Sequence, residues 1–262
     1  MKSIWTGFCV AFSLYSAIPV PQVAWEKKTM RWALSFLPLV GVLVGGAELL
    51  WFWFCRSFGA SALLYAILAG LLPLVITGGI HMDGLTDTCD ALCSFGEKEK
   101  KLEILKDPHV GAFGPMWLMA FLLAQTALFA QLYETPALLP LAALAFPLAR
   151  ALGARKIVTM TCAKNTGLVH LFAEGSDKHA VALATAVETV LGGALLLMAC
   201  VRFHGSMLWA LIYLAALAVW NAAHRRMCMN IFGGLTGDLA GFFISTAELL
   251  GLAVAALGGL IG

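Results

Sequence analysis

The 262-residue chain is 61% hydrophobic and only 12% charged, where a soluble domain carries about a quarter charged residues, and its mean hydropathy is +0.87. That composition excludes a water-soluble globule. A net charge of +2, with no basic run interleaved with aromatic residues, also excludes a nucleic-acid-binding module.

The charges gather in short islands and leave long uncharged stretches, among them 3–25, 32–47, 57–82, 108–133 and 203–224. Since about 20 apolar residues cross the hydrocarbon core, the pattern predicts an all-α, multi-pass transmembrane bundle forming one integral membrane domain over 1–262. Residues 4–18 come first. They set Ile4, Trp5, Phe8, Ala11, Phe12, Tyr15 and Ile18 at helical spacing and stop at Pro19-Val20-Pro21, which reads as an interfacial amphipathic helix or a short first span. About seven spans follow, near 33–54, 60–80, 115–133, 137–153, 180–201, 206–223 and 239–260. If 22–32, 81–114, 150–179 and 224–237 share a face, it holds fourteen Lys and Arg, against Arg56 and Arg202 on the other. The positive-inside rule makes that rich face cytoplasmic. The seven cysteines are odd in number and form no C-x-x-C pair, so they read as packing residues.

The most informative segment is His81-Met82-Asp83-Gly84-Leu85-Thr86-Asp87-Thr88-Cys89-Asp90, directly after an uncharged span. On a helix, carboxylates at i, i+4 and i+7 point to one side. Three like charges repel, and a divalent cation is the direct way to hold them. An oxygen-only set of Asp83, Asp87 and Asp90 favours magnesium or manganese over zinc; the plain alternative is a solvated helix face. His81 adjoins the aspartates as a residue that orients one of them or carries a proton. Residues 97–107 alternate in sign and read as an exposed helix laced with ion pairs. Asp107 then either joins the metal site or caps the turn into the next span.

Further along, Arg150 stands at the cytoplasmic end of a span, where it could neutralise an anionic substrate together with Arg155, Lys156, Lys164, Arg225 and Arg226. For any one of these the alternative is a topology determinant facing lipid headgroups. Glu48 and Glu188 lie close enough to span ends to snorkel, whereas Glu248 is deeper. Gly233-Gly234-Leu235-Thr236-Gly237-Asp238 makes a glycine-rich turn opening the last span. Its amides, at Gly234 and Gly237, could hold a phosphate, and Asp238 could cap the helix or bind metal. Aspartates, a cation, a glycine turn and arginines on one membrane face suit chemistry at a phosphoanhydride.

H-M-D-G-L-T-D-T-C-D at 81–90, L-E-I-L-K-D at 102–107, G-A-F-G at 111–114, the arginine at 150, G-G-L-T-G-D at 233–238, I-P-V-P at 18–21 and F-L-P-L-V-G at 36–41 resemble the cobalamin synthase family, the adenosylcobinamide-GDP ribazoletransferases. The resemblance covers nearly the whole chain. It implies that adenosylcobinamide-GDP and α-ribazole, or its 5′-phosphate, are joined with release of GMP, with Mg2+ required, in the bacterial inner membrane. Carried over, Asp83, Asp87 and Asp90 would handle metal and pyrophosphate, with Asp238 a fourth candidate; beside the resemblance, the residues themselves offer Asp90, His81 and Arg150 as catalytic candidates, and a homo-oligomer is compatible with this reading. Ala91 and the stretch 162–169 depart from the family pattern, which touches the substrate contacts in 150–179. The aspartate motif also resembles that of CDP-alcohol phosphotransferases, without their Ala-Arg. Two rivals stand beside this reading: another membrane transferase acting on a diphosphate, such as an aspartate-rich prenyltransferase, which should show two aspartate motifs, and a transporter, which should place its acids at mid-membrane.

Overall fold

The computed structural model describes residues 2–202 and 206–261. It is helical, and among those residues an isolated parallel bridge between Cys162 and Leu235 is the nearest thing to a strand. In chain order the helices are α1 (Lys2–Tyr15), α2 (Lys27–Met30), α3 (Leu37–Ser57), α4 (Ala62–Thr77), α5 (Ile80–Cys93), α6 (Lys98–Ile104), α7 (Phe113–Glu134), α8 (Leu139–Thr159), α9 (Leu168–Gly175), α10 (Lys178–Arg202), α11 (Met207–Met227) and α12 (Gly237–Ile261). Among the described residues, six helical segments are long and apolar enough to cross a bilayer, or seven when α4 and α5 count together. The chain is an all-α, multi-pass membrane bundle. Its outer wall carries exposed Leu50, Trp53, Val190 and Val219, as lipid contact requires. His204 lies outside the described residues.

Helix α8 is the centre of the bundle and packs against α3, α10 and α12 together. Lipid tails give helices no hydrophobic reason to associate, so close backbone approach between small residues has to do it. Buried Ala142, Ala143, Ala145, Ala149 and Ala154 provide the small surface on α8. On α3, Gly41 and Gly45 face it one turn apart. A Cβ on Gly45 would stand 2.2 Å from the Ala143 carbonyl oxygen, and one on Gly41 2.5 Å from the Pro147 Cα.

Helix α1 has 14 residues and rises about 21 Å, less than the roughly 30 Å hydrocarbon core. It buries Cys9, Val10, Ala11, Phe12 and Tyr15 and packs on the 3-10 turn Ala33–Phe36. Just beyond it, the Ala17 N–H donates to the Ile76 carbonyl at 2.8 Å, tying α1 to the end of α4.

The sequence reading runs the aspartate motif straight on from an uncharged span, and here the structure differs. Gly78 and Gly79 adopt φ of 64° and 81°, a left-handed conformation that only glycine takes at little cost. The chain bends by 99° between α4 and α5. Helix α5 therefore turns off the line of α4 and packs on α7 and α12. Helix α6 packs beside it, and the start of α9 lines a cavity with the first turn of α5. Lys101 donates to the Ala91 and Ser94 carbonyls, each at 2.8 Å, and so closes the carboxyl end of α5. The run 97–107 is thus only partly the exposed, paired helix its charges predict, with Lys100–Glu103 at 2.9 Å as its ion pair.

One acid and one base, Glu48 and Arg150, also sit deeper than expected. Helix α8 runs to Thr159, past the expected end near 153, because Arg155 and Lys156 donate to the carbonyls of Ala182 and Asn221 and so fit within its last turns. That places Arg150 inside the bundle, with 0% exposure, rather than at a cytoplasmic end. It ion-pairs with Glu248 of α12 and donates to the Phe146 carbonyl at 3.1 Å. Glu48 lies midway along α3, fully enclosed, with neither carboxylate oxygen hydrogen-bonded; it does not snorkel.

Candidate active site

The site is built where α5 crosses α12. A Cβ on Gly84 would stand 2.7 Å from the Asp238 carbonyl oxygen and 3.0 Å from its Cα, and one on Gly241 3.2 Å from the His81 carbonyl oxygen. The helices touch backbone to backbone, and Ser245 extends the contact by donating to the His81 carbonyl at 3.2 Å. Because Asp83 is next to Gly84, this crossing brings the carboxylates in the first turns of two helices to one place. Each sits at a helix amino end, where the macrodipole favours negative charge. Asp83 and Asp238 line one cavity of about 130 Å³ together with His81, Tyr15 and Gly237. Gly84→Ala is expected to push α5 off α12 and lower turnover by about 10- to 100-fold with helical content by circular dichroism unchanged; turnover within twofold of the parent would show that the spacing does not matter.

Asp87 lies one turn after Asp83 on the same helix. Burial first, then the neighbouring carboxylates of Asp83, Asp238 and Asp90, push its pKa up to about 6. The cluster is therefore held together against its own repulsion, a state that a cation relieves. Among the described residues, no three His, Cys, Asp or Glu side chains close into a ready-made metal cage. The donor chemistry still suits a hard cation, since magnesium commonly takes one or two protein carboxylates and completes its shell with water and substrate phosphate.

Asp90 behaves differently from its two neighbours. Its carboxylate accepts from the N–H groups of Gly111 at 3.1 Å and Gly114 at 3.3 Å, anchoring the turn into α7. A Cβ at Gly111 would lie 2.3 Å from the Asp90 Oδ2, so that turn needs its glycine. Asp107 is exposed and accepts from the His109 N–H at 2.9 Å, so it caps the turn and stays apart from the aspartates. His81 is buried, with a ring stacked on Tyr15 at 6.2 Å and neither nitrogen hydrogen-bonded, so it makes no hydrogen bond to an aspartate.

The glycine-rich turn divides between two jobs. The Gly234 N–H donates to the Cys228 carbonyl at 3.1 Å, and a Cβ there would meet Ala163 N at 2.5 Å, so Gly234 closes the turn against the 160–167 loop rather than offering an amide. Two further bonds hold the same contact: Ala163 N to Leu235 O and Leu235 N to Thr161 O, both 2.9 Å. Gly237 lines the open cavities. Thr236 caps α12, accepting from the Leu239 N–H and donating to Asp238 Oδ2, each at 3.3 Å.

Of the basic residues, Arg150, Arg155 and Lys156 are engaged with Glu248 and carbonyl groups, and Arg225 and Arg226 are exposed at the end of α11. Lys164 does face the site, in a second cavity of about 350 Å³ that Asp238 and Gly237 also line and that Lys106 joins. Sequence reasoning misses Lys106, Tyr15 and the packing role of Gly84 and Gly241. The readable signal is the small-residue spacing Gly241-x-x-x-Ser245, a pattern that marks close helix contact in membranes.

Compared with known proteins, residues 7–256 match the model of the family described as "Cobalamin-5-phosphate synthase". A protein of Lachnoclostridium phytofermentans named adenosylcobinamide-GDP ribazoletransferase is 36% identical, covering 100% of this chain and 96% of the relative. Proteins of the same name from Geobacillus kaustophilus (32% identical, 95% of this chain and 94% of the relative) and Clostridium botulinum strain Alaska E43 (29%, 98% and 99%) are also similar. No solved structure matches.

Proposed function

Because the chain belongs to the cobalamin-5-phosphate synthase family, we propose that it joins adenosylcobinamide-GDP to α-ribazole, or its 5′-phosphate, with Mg2+ at the basic face of the membrane. The relatives named for that transfer cover the whole chain, which makes it a transferase of cobalamin synthesis. The observation that carries the finer reading is the meeting of Asp83 and Asp238 across the Gly84 contact, in a cavity next to two lysines.

In the transfer, the alcohol oxygen of α-ribazole forms a bond to the phosphorus on the cobinamide side. The bridging P–O bond breaks, and its oxygen leaves with GMP. The alcohol's proton passes to a carboxylate of the cluster. Asp83, Asp87 and Asp238 are the carboxylates that would hold a divalent cation, with water and substrate phosphate completing its shell, and such an ion would supply neutralising charge to the diphosphate. The chain's own part is to hold these carboxylates at the crossing of α5 and α12, with Asp90 fixing the turn that covers the end of α5. The excess of lysine and arginine on the basic face supports a cytoplasmic orientation for it, in the inner membrane of a bacterial cell.

The test is GMP release from adenosylcobinamide-GDP and α-ribazole by the protein in nanodiscs. Release is expected with Mg2+, none in excess EDTA, and recovery when Mg2+ is restored. Release undiminished by EDTA, or no release from a folded preparation, would overturn the proposal.

A further inference from the structure

Two cavities open from the aspartate site and share Leu168, Val169, Gly237 and Asp238, so they form one continuous cleft. At its inner end is His81, only 5% exposed, with both ring nitrogens unpartnered. At its outer end are Lys106 and Lys164. The Lys164 ammonium gives one N–H to the Leu102 carbonyl at 2.9 Å, which leaves two of its three donors for a ligand. Burial, followed by the nearby Lys106 charge, holds the Lys164 pKa below its ordinary value. Lys98 presses on the same turn, its Nζ 2.1 Å from where a Cβ of Gly233 would stand. Lysines thus converge on the amino end of α12, beside Asp238. Like charges brought together around a cleft call for an anion.

We propose that Lys106 and Lys164 form the subsite for the guanosine-side phosphate, holding it in adenosylcobinamide-GDP and taking up its charge as GMP leaves. The assignment rests on the transferase reading above. The outer cavity, about 350 Å³, has room for a nucleoside monophosphate and not for a corrin ring with its amide arms. It is also where negative charge grows: breaking the bridging P–O bond turns a diester-like phosphate into a monoester, and paired ammonium groups stabilise that product and the transition state before it. The phosphate of α-ribazole 5′-phosphate offers the same chemistry, so the test separates the two.

The test measures binding of GMP, α-ribazole 5′-phosphate and inorganic pyrophosphate to the full chain in nanodiscs by calorimetry, alongside turnover. In Lys164→Ala and Lys106→Ala, GMP and pyrophosphate are expected to bind about tenfold more weakly or worse, as loss of a charged hydrogen bond implies, with α-ribazole 5′-phosphate changed less than twofold. Lys164→Arg should recover GMP binding to within threefold, and Lys178→Ala, whose partner is Glu174, should leave it unchanged. GMP affinity unaffected by both alanine variants, in a protein that still turns over, overturns the subsite while the transferase reading stands. Weakened α-ribazole 5′-phosphate with unchanged GMP overturns the assignment to the guanosine side. Lysine-dependent pyrophosphate binding in a protein that never releases GMP would keep the anion subsite and remove the transferase reading.

Discussion

Asp83→Asn should reduce turnover on the order of 10²- to 10³-fold, the loss seen when one electrostatic contact to a reacting group is removed. Folding and membrane insertion should be unchanged. The side chain is exposed at the cleft, so neither packing nor a buried hydrogen bond depends on it. What changes is charge: a neutral amide keeps the shape and loses the anionic oxygen that a cation needs. Asp238→Asn should lose as much through the same cause, although its bond from Thr236 makes it a weaker test of charge alone. Asp90→Asn is the informative contrast. Its carboxylate accepts two backbone N–H groups, and an amide oxygen can still accept one, so its loss should be smaller and accompanied by a less stable 107–114 turn. Steady-state GMP release at saturating Mg2+ checks all three, and full activity in Asp83→Asn would remove Asp83 from the chemistry.

The other large effect is on stability. Arg150 and Glu248 face each other in the centre of the bundle, the arginine wholly enclosed. Removing one partner strands the other's charge, which costs about 3–5 kcal/mol, whereas replacing both with apolar residues of similar size is near neutral or favourable. Arg150→Met and Glu248→Leu should each lower the thermal midpoint in detergent strongly, and the double variant should recover most of it. The double variant also separates two roles for Arg150. If the pair only holds α8 to α12, the recovered protein turns over; a stable and inactive double variant would return Arg150 to the reaction.

The spans were legible because lipid imposes a crude rule, long uncharged runs, that composition alone reveals; the expected segments fall within a few residues of α3, α4, α7, α8, α10, α11 and α12 at most ends. The exceptions have local causes. The 99° bend at Gly78-Gly79 is invisible to hydropathy, since glycines are ordinary in membrane helices. Arg150 looked like a span end because an arginine usually is one, and its partner Glu248 lies 98 positions away. In the site, the helical spacing of Asp83, Asp87 and Asp90 was readable, but their separate surroundings were not. Asp90 is drawn off by amides of a turn more than 20 residues later, and Asp238 joins Asp83 through a backbone contact that only the folded chain makes. Gly234 and Gly237 looked equivalent on paper; a single N–H donated to Cys228 separates them.

The account is tested most directly by titrating Mn2+, as a paramagnetic substitute for Mg2+, into the nanodisc-embedded protein and counting free ion by electron paramagnetic resonance. Saturable binding that Mg2+ displaces and that disappears in Asp83→Asn/Asp238→Asn, with Asp90→Asn still binding, is the predicted result. Binding that survives the double substitution, or none in the parent protein with pyrophosphate present, would contradict it.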